Sequence, residues 1–225
     1  MRSSQPYRLV ILDFDGTLAD SGEWFAREFN GVARRFRFRE VSRAELEVMR
    51  AEQPLAMLRR LGVPRWKLPL IARYMRGLMN RDIAQIALFP GVAHLLASLQ
   101  EAGITVAVLS SNAESNVRKV LGPALCRHVD HFDCGSALLG KARKIRKLIA
   151  RCGLSAEVVL AVGDEMRDID AAEEAGVASG AVLWGYGDAA TLRARRPTLV
   201  FTTMEDIGAA VLGSCAPAAV AQVHA

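Results

Sequence analysis

The stretch LVILDFDGTLADS, residues 9–21, decides the fold. Leu9 to Leu12 form an apolar, strand-like run that stops at Asp13; Asp15 follows two residues on, then Gly16 and Thr17. An uninterrupted apolar run of this length suits a strand buried on both faces. Two carboxylates about 4 Å apart repel by roughly 4 kcal/mol at an effective dielectric near 20. A buried strand that ends in such a pair calls for a cation between the two, or a proton on one of them. Both answers point to chemistry.

Working outward, residues 20–88 read as helices. EWFAREFNGVARRF (23–36) carries its apolar residues near helical spacing, SRAELEVMR (42–50) opens with a Ser42/Glu45 capping-box pattern, Gly62 and Pro64 interrupt the next helix, and LPLIARYMRGLM (68–79) is helical again. LFPGV (88–92) marks a joint. Beyond it the pattern alternates. A helix ends at Gly103, a buried strand runs through ITVAVLSSN (104–112), and ESNVRKVLG (114–122) is a helix. A short strand lies in HVDHFDCG (128–135), a helix in KARKIRKLIARCG (141–153), and a buried strand in EVVLAVGDE (157–165). DIDAAEEAG (168–176) is a helix, and VASGAVLWG (177–185) and TLVFT (198–202) are strands. This alternation predicts an α/β, Rossmann-like, doubly wound parallel sheet, interrupted after its first strand by an α-helical insert. The expected boundaries are 1–18 with 89–213 for the core and 19–88 for the insert, with a frayed tail over 214–225.

Composition narrows the class. The chain has 225 residues, 51% hydrophobic and 24% charged, room for one good core or a core with a smaller partner domain. No run reaches the apolar length of a membrane helix, and the polar MRSSQPYR start lacks a signal-peptide centre, so a cytoplasmic protein is expected. Cys126, Cys134, Cys152 and Cys215 make no C-x-x-C pair and read as reduced packing residues. No C-x5-R occurs, which argues against a cysteine-nucleophile phosphatase. The net charge of +5 is uneven: residues 19–88 hold 14 Lys/Arg against 8 Asp/Glu, the remainder 15 against 16. That asymmetry favours anionic partners, phosphorylated substrates more than nucleic acid.

In an open parallel sheet the carboxyl ends of the strands form one edge, where ligands bind. Asp13 and Asp15, the turn Ser110-Ser111-Asn112, Lys141 at a helix start, and Asp164, Glu165 and Asp168 can converge there. Carboxylates with backbone oxygens make a hard-oxygen set suited to Mg2+. Lysine and hydroxyl groups supply charge and donors to phosphoryl oxygens. One Asp can then attack phosphorus, and a second can protonate the leaving oxygen and later activate water.

These four motifs, in order from about Leu9 to Gly213, resemble the haloacid dehalogenase-like (HAD) superfamily, in its phosphoglycolate-phosphatase-like branch with a helical cap. DFDGT is similar to the family's D-x-D-G-T motif, which implies Asp13 as nucleophile and Asp15 as general acid/base, with Gly16 and Thr17 as motif support. LSSN resembles the second motif, whose Ser or Thr binds the phosphoryl group; register favours Ser111, just before Asn112, over Ser110. Lys141 in GKARKI matches the third motif's lysine. GDEMRD matches the acidic motif, with Gly163 opening it, Asp164 as metal ligand beside Asp13 and Asp15, and Asp168 supporting. Glu165 departs from the small polar residue common there and stands either as a supporting acid or as a direct ligand. The resemblance implies a Mg2+-dependent phosphatase acting on a small phosphorylated metabolite, phosphoglycolate-like or a sugar phosphate, through an aspartyl-phosphate, with residues 19–88 as a mobile cap. Dehalogenases lack the second motif-one acid, so Asp15 argues for phosphoryl transfer.

Blander readings stand beside these. The Asp pair could form a capped turn, Ser111 and Asn112 a helix cap, and Lys141 the head of a solvated stripe with Arg143, Lys144, Arg146 and Lys147. Asp170 is expected on an exposed helix face. GSALLGKA (135–142) approaches a nucleotide P-loop, but Ala142 lacks the hydroxyl. GYGDAA (185–190) resembles a dinucleotide fingerprint but opens too late in the chain and reads as a loop. RRFRFRE (34–40) interleaves Arg and Phe; Phe facing inward and Arg facing water is preferred over a nucleic-acid surface. A phosphomutase shares every core motif. A receiver-like signalling domain or a basic nucleic-acid-binding module is less well matched.

Overall fold

Four apolar tetrads and pentads, each too short for a helix, build the centre of the protein. In the computed structural model, which describes residues 7–52, 54–135 and 140–213, they are β1 (Leu9–Leu12), β4 (Thr105–Leu109), β6 (Val159–Gly163) and β7 (Ala178–Val182). With β5 (His131–Asp133) and β8 (Leu199–Phe201) at the edges they make a six-stranded, all-parallel sheet in the order β5-β4-β1-β6-β7-β8. The predicted α/β class and doubly wound topology hold. Because side chains alternate along a strand, Val10 and Leu12 pack with Val106, Val108, Leu160 and Val162 on one face. Helices α5 (Val92–Glu101), α6 (Glu114–Cys126) and α10 (Met204–Leu212) cover that face. Leu9, Ile11, Ala107, Leu109, Val159 and Ala161 face the other way, under α7 (Lys141–Cys152) and α8 (Met166–Ala175).

The chain lays β4 on one side of β1 and returns to lay β6 on the other. The crevice where strand order reverses lies at the carboxyl end of β1, the usual ligand position in such sheets. Asp13 follows β1, Ser110 follows β4 and Asp164 follows β6, so all three open onto this edge.

Between β1 and β4 the chain leaves the sheet through a small antiparallel ladder, β2 (Ala19–Asp20) with β3 (Ala87–Leu88), pairing Ala19 with Leu88 and Asp20 with Ala87. From this ladder rise α1 (Gly22–Phe36), α2 (Arg43–Met49), α3 (Pro54–Arg60) and α4 (Leu68–Arg81). The Ser42/Glu45 capping box forms as expected. Phe36 packs on Tyr74 and Phe38 on Phe29, while Arg34, Arg35, Arg37 and Arg39 lie exposed, so RRFRFRE turns its rings inward.

Three elements lie outside the sequence reading: the ladder β2–β3, α9 (Ala189–Ala194) and α10. A two-residue strand carries no periodicity, and α9 spans fewer than two turns. Helix α6 runs past Gly122, whose φ of 70° and ψ of 166° break it before Pro123, so the helix expected to stop at Gly122 continues as a second short piece. The tail 214–225 with Cys215, and residues 136–139 of the P-loop-like stretch, fall outside the described residues. Among the described residues, Cys126, Cys134 and Cys152 are free, and no helix is long and apolar enough to cross a membrane.

Candidate active site

Asp13 ends the β1 hydrogen-bond ladder: its N–H donates to the Val162 carbonyl at 2.9 Å. Its side chain is 5% exposed. Oδ1 accepts the Phe14 N–H at 2.8 Å, and Oδ2 lies 2.9 Å from the Lys141 ammonium. That ammonium also donates to Asp168 Oδ1 at 2.5 Å, so Lys141 clamps two acids from separate elements. The positive φ of Gly140 opens the helix that aims it. The rest of the basic stripe stays away: Arg143, Arg146 and Lys147 are exposed and Lys144 pairs with Asp133. Asp170 pairs with Arg195 outside the site.

Asp164 is fully buried and held on all sides. Thr17 Oγ1 donates to its Oδ1 at 3.0 Å and the Tyr186 N–H to its Oδ2 at 2.8 Å, while its carbonyl accepts the Gly187 N–H at 3.1 Å. Backbone crowds the same carboxylate. A Cβ on Gly16, whose φ is +77°, would stand 2.1 Å from Asp164 Oδ2, and one on Gly185 would stand 2.2 Å from Asp164 Cβ. A Cβ on Gly163 would sit 2.3 Å from Asp168 Oδ2. Glycine is required here by close approach, not by turn geometry alone. The GYG of the fingerprint-like stretch is therefore the wall behind Asp164, in the loop between β7 and α9.

Carboxylate oxygens of Asp13, Asp164 and Asp168 lie within 4.8 Å of one another, all three residues buried. The sequence reading groups Asp15 with Asp13 and Asp164 as the metal set; the side-chain carboxylates that lie within this distance of one another are those of Asp13, Asp164 and Asp168. The Asp15 carboxylate accepts from Ser21 Oγ, just after β2, at 2.9 Å and from Asn112 Nδ2, beyond β4, at 3.1 Å. Ser21 in turn meets the Tyr186 hydroxyl in a short contact, so a hydroxyl chain links Tyr186 to Asp15.

Of the two serines, Ser110 is buried and its Oγ accepts the Asn112 N–H at 3.0 Å, whereas Ser111 borders the open cavity above the site. That arrangement favours Ser111 as the hydroxyl a ligand would meet. Asn112 is itself fixed by Asn116, whose Nδ2 donates to its Oδ1 at 3.0 Å. Glu165 pairs with Arg167 and caps α8 together with Asp168. Ser21, Arg167, Tyr186 and Asn116 were missed in the sequence. Arg167 stands inside GDEMRD, where a cation among acids was the available signal.

Burial and mutual repulsion set the charges. Burial raises Asp13 against the pull of Lys141, and raises Asp164 well above the carboxylate range with Glu165, Asp168 and Asp13 adding to it. Burial, then the Asp13 charge, pushes Asp15 up to about 6. Glu165 is also raised by burial, which outweighs Arg167. Asp168 alone is lowered: Lys141 and Arg167 overcome its burial. Lys141 is raised despite burial by Asp13 and Asp168, so it stays charged. Buried oxygen ligands with excess negative charge form the donor set that a hard divalent cation takes, so the residues present fit Mg2+.

A family model for haloacid dehalogenase-like hydrolases matches residues 10–182. A phosphoglycolate phosphatase of Synechococcus elongatus is 32% identical over 203 residues, covering 90% of this chain and 96% of its own. The tyrosine-protein kinase PtkA of Mycobacterium tuberculosis is 31% identical over 192 residues, covering 81% of this chain but 64% of its own length. Among solved structures, a predicted phosphatase from Clostridium acetobutylicum superposes with a TM-score of 0.78 over 92% of this chain and 99% of its own, at 18% identity, which speaks for the fold. With the motif-bearing residues gathered at one sheet edge, the chain belongs to the haloacid dehalogenase-like hydrolase family, in its phosphatase branch.

Proposed function

We propose that the protein hydrolyses a phosphomonoester of a small metabolite with Mg2+, through an aspartyl-phosphate on Asp13. The observation that carries this reading is the divergence of the two motif-one acids. Asp13 is clamped by Lys141 beside Asp164 and Asp168, while Asp15 sits apart with its own donors and a pKa raised to about 6. Two carboxyl groups whose environments differ in this way suit two roles. Asp13 attacks phosphorus as the nucleophile. Asp15, protonated in a useful fraction near neutral pH, gives its proton to the leaving alkoxide oxygen and then takes one from the water that cleaves the acyl phosphate. Lys141, Ser111 and the Asn112 amide hold the phosphoryl oxygens. Asp13 and Asp164 would hold Mg2+, with Asp168 and Glu165 as supporting acids; bound there, the ion neutralises phosphoryl charge that these acids would otherwise repel.

Helices α1–α4, residues 19–88, are proposed to act as a cap over this site, hinged at the β2–β3 ladder. Arg50 donates to the Gly185 carbonyl at 2.6 Å and Arg76 to the Gly135 carbonyl at 3.1 Å, contacts that support a closed position excluding bulk water. The test is Asp13→Asn with an aryl phosphate in Mg2+ and in chelator. Hydrolysis should fall to background in the variant, and in wild type without metal, while circular dichroism stays unchanged. Near-normal turnover by the variant would refute Asp13 as nucleophile.

A further inference from the structure

A cavity of about 570 Å³ opens directly above Asp15, Ser111 and Asn112 and runs up between the helices of the insert. That volume lies in the range of roughly 300–1,000 Å³ that houses drug-sized ligands. Its wall is apolar far beyond what a two-carbon acid or a sugar needs: Phe25, Met49, Leu61, Ile71, Met75 and Trp184 line it from both the helical insert and the sheet edge. Methionine gives such a wall adaptability and a taste for aromatic rings.

The cations on the wall are Arg50, Arg76 and Arg167, and each is already engaged. Arg50 holds the Gly185 and Tyr186 carbonyls and Glu47; Arg76 holds the Gly135 carbonyl; Arg167 pairs with Glu165. A glycolate carboxylate would have to displace one of these partners and would face the acids Asp20, Glu23, Glu47 and Glu52 on the same wall. Unpartnered polar groups are strongly disfavoured in such surroundings.

Resting on the phosphatase reading above, we propose that the leaving group is a bulky aromatic alcohol, seated in this cavity while its phosphate meets Asp13. An Asp13 oxygen bonds phosphorus as the P–O bond to that alcohol breaks, the alcohol oxygen takes the Asp15 proton, and the ring stays in the apolar chamber until the cap opens.

The test uses three esters of primary alcohols: 2-phosphoglycolate, ribose 5-phosphate and 3-phenylpropyl phosphate. Hydrophobic pockets discriminate by roughly 10–200-fold per methylene, so kcat/KM for the phenylpropyl ester should exceed the others by at least about a hundredfold, mainly through KM. Equal or better turnover of phosphoglycolate or ribose 5-phosphate overturns the proposal. Calorimetry on Asp13→Asn separates this from the chemistry. The phenylpropyl ester should bind at least about tenfold tighter than phosphoglycolate, with a negative heat-capacity change that marks apolar burial. If no ester is hydrolysed yet this binding holds, the phosphatase reading falls and the cavity assignment stands; if the binding preference is absent, the assignment falls. Ala72→Phe, which fills the cavity from α4, should lower the ratio of phenylpropyl to phosphoglycolate kcat/KM at least tenfold. An unchanged ratio also refutes it.

Discussion

Replacing Asp15 by Asn should make the metal-free protein more stable at neutral pH while removing its activity. The magnitude follows from the site. In the unfolded chain this carboxyl titrates near 3.8; in the fold, burial and then the Asp13 charge move it to about 6. The native state therefore holds the proton longer than the unfolded state, and stability falls as pH rises between those values. At about 1.36 kcal/mol per pKa unit, the ionised group costs about 3 kcal/mol at pH 7.5, and by the same linkage relation about 1.6 kcal/mol at pH 5. Asn is nearly isosteric, can accept from Asn112, and can donate to Ser21 where Asp15 accepts. The variant escapes the charge term without losing the contacts. For a chain of this size each kcal/mol moves Tm by roughly 2–4 °C, so Asp15→Asn should melt about 6–12 °C above wild type at pH 7.5 in chelator. The gap should narrow toward pH 5, and added Mg2+ should stabilise wild type more than the variant. Thermal unfolding followed by circular dichroism reads all three. No gain at pH 7.5, or a gain independent of pH, would show that Asp15 carries no such penalty.

Other perturbations probe the surroundings of the same acids. Gly185→Ala would put a Cβ 2.2 Å from Asp164 Cβ and 2.5 Å from the Gly16 carbonyl, so it should lose roughly 1–3 kcal/mol or more and weaken Mg2+ binding, read by unfolding and metal titration. Ser21→Ala removes a hydrogen bond that lowers the Asp15 pKa, so the alkaline limb of the kcat–pH profile should move to higher pH. Arg50→Ala with Arg76→Ala cuts both arginine ties across the cleft; hydrogen bonds to charged groups contribute about 1.5–3 kcal/mol, so KM should rise at least about tenfold and small-angle scattering should report a larger radius.

How much of this was legible in the residues depends on what each signal measured. The central strands were readable because strands buried on both faces leave continuous apolar runs, and LVIL, TVAVL and VLAVG have no other use for that composition. Helices α1 and α4 declared themselves by spacing, and α2 by its capping box. Helix α10 did not: Met204, Ile207 and Val211 make a sound buried stripe, but Gly208 and two alanines dilute it, and only the Thr203/Asp206 capping box marks its start. At the site, residues with order-dependent motifs were found, since Asp13, Lys141, Asp164 and Asp168 sit where strands end or helices begin. Tyr186 and Ser21 were not, because their importance comes from a contact across 165 positions of sequence that no local pattern encodes.

The glycines show the same limit from the other side. Gly185 and Gly187 belong to a stretch that resembles a dinucleotide fingerprint but reads as a loop; in the fold that loop packs on Asp164, Gly185 against its side chain and Gly187 against its carbonyl. A Cβ on Gly187 would meet the Asp164 carbonyl at 2.2 Å, and one on Gly185 the Asp164 side chain. Both patterns answer one physical demand, backbone brought close to an anion, and only the fold says whose anion it is. That closeness explains why the site keeps so many acids. Asp13, Asp164 and Glu165 are all pushed toward the protonated form by burial, with Lys141 and Arg167 as the cations set among them. The repulsion is held in place by fixed neighbours, namely Thr17, the Tyr186 N–H and the glycine wall, so the acids cannot swing apart to relieve it. A cation entering this set gains from oxygen ligands already brought together, which is the form of preorganisation that makes tight binding and catalysis use the same geometry.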